Sequence, residues 1–140
     1  MSKPDFMIAG EKYIDRLFGE GMGERHSQFL ERIQNPALRE QIHRFHILQD
    51  NTANISIEEN YLLGMTVMCA VKNLGTAAMF AKALLYLGVK REKILEAVAR
   101  LSMWVGGLPA VEASFVIQKA INEYEKEGPA SLAGWFPQPK

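Results

Sequence analysis

The stretch Ser56-Ile57-Glu58-Glu59-Asn60-Tyr61-Leu62-Leu63-Gly64-Met65-Thr66-Val67-Met68-Cys69-Ala70-Val71 decides how the rest of the chain is read. Its first four residues form the pattern of a capping box, in which the Ser56 hydroxyl and the Glu59 side chain each take a backbone N–H that the first helical turn leaves unpaired. From Tyr61 onward the segment is apolar on nearly every side, which predicts a helix buried on more than one face. Downstream, the small residues Gly75, Ala78 and Ala81 mark a helix that a neighbour can approach closely, ending at Gly88 in the left-handed position beyond a helix end. Lys90-Arg91-Glu92-Lys93 opens another, with Ile94, Leu95, Val98 and Leu101 inward and a stop at Gly106-Gly107-Leu108-Pro109.

Upstream, Phe6, Ile8, Tyr13, Ile14, Leu17 and Phe18 predict an amphipathic helix from Asp5 to about Phe18. Gly19-Glu20-Gly21-Met22-Gly23 breaks it, because three glycines in five residues cost too much backbone entropy for a helix interior. A second helix carries Phe29, Leu30 and Ile33, and a third runs from Pro36 to about Gln49 on Leu38, Ile42, Phe45 and Leu48. Asp50-Asn51-Thr52-Ala53-Asn54 reads as a polar turn back to the capping box. After Pro109 a long helix carries Val111, Phe115, Val116, Ile117 and Ile121. The fold class expected is all-α: one helical bundle over residues 1–140, of about seven helices, with a central antiparallel pair formed by the segments before and after Leu74. Residues 128–140 form a C-terminal arm with adjacent aromatics, Trp135 and Phe136, which are expected to be covered by a neighbouring subunit, to fold back on their own domain, or to stay disordered.

Sixteen basic and sixteen acidic residues cancel, and no basic stripe stands out, so nucleic acid and anionic membrane are poor partners. The longest apolar run, Tyr61 to Val71, is shorter than the roughly 20 residues that span a bilayer, and the first residues lack signal-peptide character. A cytoplasmic location is expected, and the single cysteine fits a reducing compartment.

Chemistry-bearing residues are few. His43, His46 and Asp50 are spaced three and four apart on one helix face, as a divalent-metal site or an acid–base pair with an orienting carboxylate requires, and as solvated histidines at a helix end also read. Cys69 sits in an apolar run, where burial raises a thiol pKa and favours an inert role. Glu58, Glu59 and Glu112 all lie in first turns, where the helix dipole favours acids.

The segment Ala83-Leu84-Leu85-Tyr86-Leu87-Gly88-Val89-Lys90-Arg91-Glu92-Lys93-Ile94, followed by Val105-Gly106-Gly107-Leu108-Pro109-Ala110, resembles the carboxymuconolactone decarboxylase family, the all-helical group that includes alkylhydroperoxidase-type peroxidases. The first is similar to a small-residue helix followed by G-V-x-x-E-E-I and the second to Y-x-G-x-P-A, and the resemblance covers roughly residues 6 to 127. It implies that the C-x-x-C-x-x-x-H positions of the peroxidase branch are held here by Asn73, Thr76 and Phe80, so no thiol peroxidase activity is expected. In the decarboxylase branch an aspartate of a W-G-D-type motif corresponds to Asp50, with Leu48-Gln49 replacing the Trp-Gly and His46 four residues earlier; the histidine common at the Phe80 position is absent.

The resemblance implies a cofactor-independent lyase (decarboxylase) or isomerase acting on a small lactone, carbonyl or β-keto acid by acid–base catalysis, without a metal. His46 would carry the proton, Asp50 would orient it, and Glu112 or Glu59 would be the second acid, around a substrate pocket edged by Met65, Met68, Asn73, Thr76, Phe80 and Trp104. It also implies a homo-oligomer, a trimer or hexamer. The alternative is a non-catalytic ligand-binding or assembly protein that retains the scaffold.

Overall fold

A computed structural model of the chain describes residues 2–50 and 54–136. Among these the protein is all-helical: α1 (Asp5–Phe18), α2 (Met22–Leu30), α3 (Pro36–Asp50), α4 (Ile57–Ala70), α5 (Leu74–Tyr86), α6 (Arg91–Val105) and α7 (Gly107–Glu127), then a 3₁₀ turn, Gly128–Leu132. No described residue is in a strand. No helix among the described residues is long and apolar enough to cross a membrane. Most of the polar turn expected after Asp50 lies outside the described residues.

The helices gather into two compact units. One contains α1, α2 and α3 with the C-terminal residues from Leu132, and the other runs from Ile55 to Ser131.

In the first unit α1 turns Tyr13, Ile14, Leu17 and Phe18 into the core. The glycine cluster separates α1 from α2 as expected, through Gly19 and Gly21 at positive φ, yet Gly23 is inside α2. It is glycine because α1 passes against it: a β-carbon there would lie 2.1 Å from the Glu11 carbonyl oxygen. Gly10 plays the same part toward α3, where a β-carbon would lie 2.8 Å from His43 Nδ1. Close backbone approach, rather than an unusual φ, is what these two positions require. The arm folds back on its own chain. Phe136 is fully buried against Phe18, with ring centroids 4.8 Å apart, and its carbonyl accepts from Arg25. Trp135 lies beside Phe29. The motive for docking on a neighbouring subunit is thereby removed for Phe136, while Trp135 stays 40% exposed.

The second unit is built around α4 and α5. The capping box forms as read: the Glu59 N–H donates to Ser56 Oγ at 3.1 Å, and the Ser56 N–H donates to Glu59 Oε2 at 2.9 Å. Burial on several faces does not follow. α4 buries one stripe, Tyr61, Met65 and Cys69, and leaves Leu63, Val67 and Val71 exposed, because its partners α5, α6 and α7 lie along a single side.

α4 ends in a Schellman motif: the Asn73 N–H reaches the Met68 carbonyl, the Lys72 N–H reaches the Cys69 carbonyl, and Lys72 takes φ 61°. Gly88 closes α5 the same way, with Val89 bonding back to Leu84 and Gly88 to Leu85. Of the three small residues expected to allow close approach, Ala81 is fully buried, whereas Gly75 and Ala78 are not; Ala77, also fully buried, and Gly64, where a β-carbon would meet the Phe80 ring at 3.2 Å, complete the contact. In α6, Ile94, Val98 and Leu101 are buried as expected. α7 buries Ala110, Ala113, Ile117, Ala120 and Ile121, while Val111 and Phe115 are exposed. Lys82, buried in α5, donates to Glu123 at 3.0 Å and to the Ser131 carbonyl at 2.9 Å, tying α5 to the end of α7.

Candidate functional site

The first unit collects all three histidines of the chain. α3 carries His43 and His46 one turn apart, and α2 brings His26 so that its ring lies 5.3 Å from that of His46. Tyr13 stacks on His46 at 5.9 Å from α1, and Phe136 covers His26 at 5.6 Å. None of the three Nδ1 atoms has a hydrogen-bond partner among the described residues.

Burial, with the repulsion of His46 and then His43, pushes the His26 pKa down to about 3. Burial and the neighbouring His43 push His46 down to about 4. His43 is lowered too, chiefly by burial, with Glu11 opposing and Lys3 adding to the effect. All three imidazoles are therefore neutral at pH 7. Asp50 does not orient His46: its carboxylate pairs with the Arg16 guanidinium, and His46 Nδ1 has no hydrogen-bond partner among the described residues. No set of three His, Cys, Asp or Glu side chains among the described residues is arranged to hold a metal ion.

The second unit presents a groove of about 400 Å³ between α4 and α6. Glu59, Leu62, Leu63 and Thr66 form one wall, with Ala97, Arg100, Leu101 and Trp104 opposite. Glu59 is placed by the capping box, which leaves Oε1 with no hydrogen bond to a described residue. Arg100 donates one N–H to Glu96, its neighbour one turn back, at 3.2 Å. Thr66 spends its hydroxyl proton on the Leu63 carbonyl. Trp104 is 82% exposed and supplies a broad apolar side. The groove thus combines one carboxylate, one guanidinium and apolar walls.

The other residues singled out from the sequence are dispersed. Met65 is fully buried in the core, and Met68 is half-buried on the same helix. Asn73 caps α5 by accepting the Thr76 N–H at 3.4 Å, so these two are joined as cap and first turn. Phe80 packs edge-on to Tyr61 at 5.1 Å. Glu112 is exposed on α7 and is not in the groove wall. Of the ten residues, Glu59 and Trp104 share the groove, whereas His46 and Asp50 belong to the first unit. Cys69 is fully buried, and burial pushes its thiol up to about 11, which keeps it protonated and unreactive at neutral pH.

No family model matches the chain. Neither the curated proteins nor the solved structures contain a match to it.

Two residues of these sites escaped the sequence reading. His26 is 17 positions before His43, and only the packing of α2 brings it to His46. Arg100 follows Glu96 by four residues and reads as half of a solvated helix-surface pair, so nothing in the pattern sets it apart.

Proposed function

We propose that the protein is a cofactor-independent lyase or isomerase acting on a small lactone, carbonyl or β-keto acid, with its chemistry in the α4–α6 groove. The supporting observation is that Glu59, Arg100 and the apolar face of Trp104 line one groove of a size suited to such a molecule. A guanidinium offers planar, paired donors to a carboxylate or an enolate oxygen. In isomerisation Glu59 takes the proton α to the carbonyl, the electron pair moves onto the oxygen held by Arg100, and the proton returns at another carbon. In decarboxylation the C–C bond to the carboxylate breaks, the pair passes into the same enolate, CO₂ leaves, and solvent reaching the open groove protonates the carbon. His46 and Asp50 have no part in this reading, and a thiol peroxidase reaction is not proposed, since Cys69 has neither activation nor a partner cysteine.

The test is turnover of a panel of β-keto acids and lactones, followed by proton NMR, with Glu59→Gln and Arg100→Ala. Glutamine can still accept the Ser56 N–H, so only the charge is lost. Arg100→Ala is expected to lose about 10²-fold or more in either reaction, and Glu59→Gln as much in isomerisation. Full activity in Arg100→Ala sinks the proposal, and full isomerase activity in Glu59→Gln removes Glu59 from it.

A non-catalytic ligand-binding or assembly role is the second reading, and the exposed apolar stripes favour it. Leu63, Val67 and Val71 repeat every four residues along α4 and its C-cap, Leu108, Val111 and Phe115 fall on one side of α7, and Met103 and Trp104 at the end of α6 are exposed as well. A second copy of the chain, in a trimer or hexamer, is the proposed cover, and a cytoplasmic location suits either reading. Sedimentation of the full chain and of Phe115→Glu decides this: assembly that the glutamate abolishes supports it, and a monomeric parent rejects it. Binding of panel compounds without product would place the protein in the second class.

A further inference from the structure

The first unit contains a cavity that the proposed reaction does not use. It is about 220 Å³ in volume and lies among α1, the end of α2 and the start of α3. Phe6, Met7, Leu30 and Pro36 make its sides apolar. Phe6 is held in place from both sides, edge-on to His43 at 6.3 Å and under the Arg44 guanidinium at 4.6 Å. Ser27 and His43 also line the cavity, and they are 4% and 3% exposed.

A buried hydroxyl ordinarily has a hydrogen-bond partner, because leaving one unmade costs the group its hydration without return. Ser27 Oγ has none among the described residues, and neither has His43 Nδ1, which faces Gly10. The volume is several times the roughly 30 Å³ that one water occupies in the liquid. A buried polar point beside apolar walls is the usual form of a small-ligand site, and a volume below that of drug-sized pockets limits the occupant to a small molecule.

The charges at the mouth set the class of ligand. Glu31, Arg39 and Glu40 line the cavity, and Glu40 already takes the Arg44 guanidinium at 2.7 Å. Glu31 and Arg39 then oppose each other in sign, and Ser27 and a histidine that burial holds neutral offer no charge inside. A carboxylate or ammonium entering the cavity would lose its hydration with no buried counter-charge. We propose that this cavity binds a small neutral molecule bearing one hydroxyl or carbonyl group, with the polar atom on Ser27 Oγ and the hydrocarbon body against Phe6, Met7 and Leu30. The site is independent of the α4–α6 groove.

The experiment uses the full chain and four probes of one shape: cyclohexanone, cyclohexanol, cyclohexanecarboxylate and cyclohexylamine. Binding is read by titration calorimetry and located by amide chemical-shift changes. The two neutral probes are expected to bind and to shift amides of α1, α2 and α3. Ser27→Ala removes an unpartnered hydroxyl and is expected to fold as well as the parent, while weakening both neutral probes about three- to tenfold. Met7→Trp, which fills the cavity, is expected to abolish binding, with Arg100→Ala leaving it unchanged. Equal binding of the charged probes, unchanged affinity in Ser27→Ala, or no binding of any probe each overturns the proposal. Because Arg100→Ala disables only the groove, loss of the proposed reaction and loss of this site are separately visible.

Discussion

Mild acid should destabilise the first unit, and its buried histidines set the size of the effect. His26 and His46 have folded values near 3 and 4, far below the ordinary histidine range, because burial disfavours their charged forms. On unfolding each regains a value near ~6.5, so the unfolded chain binds more protons, and stability rises with pH across the window between the two values. The stabilisation is fully present above about pH 6.5 and is lost as pH falls from there toward the folded values. For a group of this kind, going from about pH 7.5 to about pH 5.5 costs RT ln(1 + 10), or about 1.4 kcal/mol, almost regardless of the folded value so long as it lies well below 5. Two such groups give about 3 kcal/mol, a substantial part of a small domain's stability, and His43 acts in the same direction. Of the charges facing these histidines, Glu11 opposes the effect at His43 and Lys3 adds to it. The assay is urea unfolding at both pH values in a Trp104→Phe background, where Trp135, beside Phe29, reports on the first unit. His46→Gln should recover about 1.4 kcal/mol of the acid sensitivity. A midpoint unchanged between the two pH values, or one that rises on acidification, would refute the reasoning.

Lys72→Gly should stabilise the second unit by about 0.5–1 kcal/mol in thermal unfolding, because the left-handed φ of 61° is strained for a residue with a β-carbon and free for glycine. A loss of stability would mean that the Lys72 side chain contributes more than the strain costs. Cys69→Ala should cost only about 1–2 kcal/mol, and the native thiol should resist an aromatic disulfide reagent until the protein is unfolded; rapid labelling of the native protein would contradict its burial. Phe136→Ala should cost about 3–5 kcal/mol and expose His26 and Phe18, detectable as a lower urea midpoint for the first unit. An unchanged midpoint would show that the arm is not part of that core.

Helix positions were legible in the sequence because the signals that start and stop them are local. Ser56 and Glu59 meet within one turn, and Gly88 supplies its left-handed φ without help from elsewhere, so both could be read without knowing what packs nearby. The all-helical class followed from apolar positions at helical spacing. Which face of each helix is buried was less legible. An apolar stripe states that cover is favourable but does not name the cover, so α4 reads as buried on more than one face and yet leaves Leu63, Val67 and Val71 outside. The glycines show the same limit: Gly23 reads as part of a helix-breaking cluster and Gly10 has no signal of its own inside α1, and only the passage of Glu11 and His43 beside them explains their lack of a side chain.

The candidate sites depended on tertiary structure more heavily still. Spacing on α3 placed His43, His46 and Asp50 on one helix, but a shared helix face does not choose hydrogen-bond partners. Asp50 found Arg16 from α1, and His46 found Tyr13 and His26. Sequence by itself determined where the helices run, the capping of α4, the inert setting of Cys69 and the absence of a second cysteine. Tertiary structure alone decided that Glu59 shares a groove with Arg100, that His26 joins His46, and that Phe136 closes over the histidines. The physical reason is range: backbone hydrogen bonds and caps act within about four residues, whereas burial and pKa shifts depend on atoms brought together from distant parts of the chain.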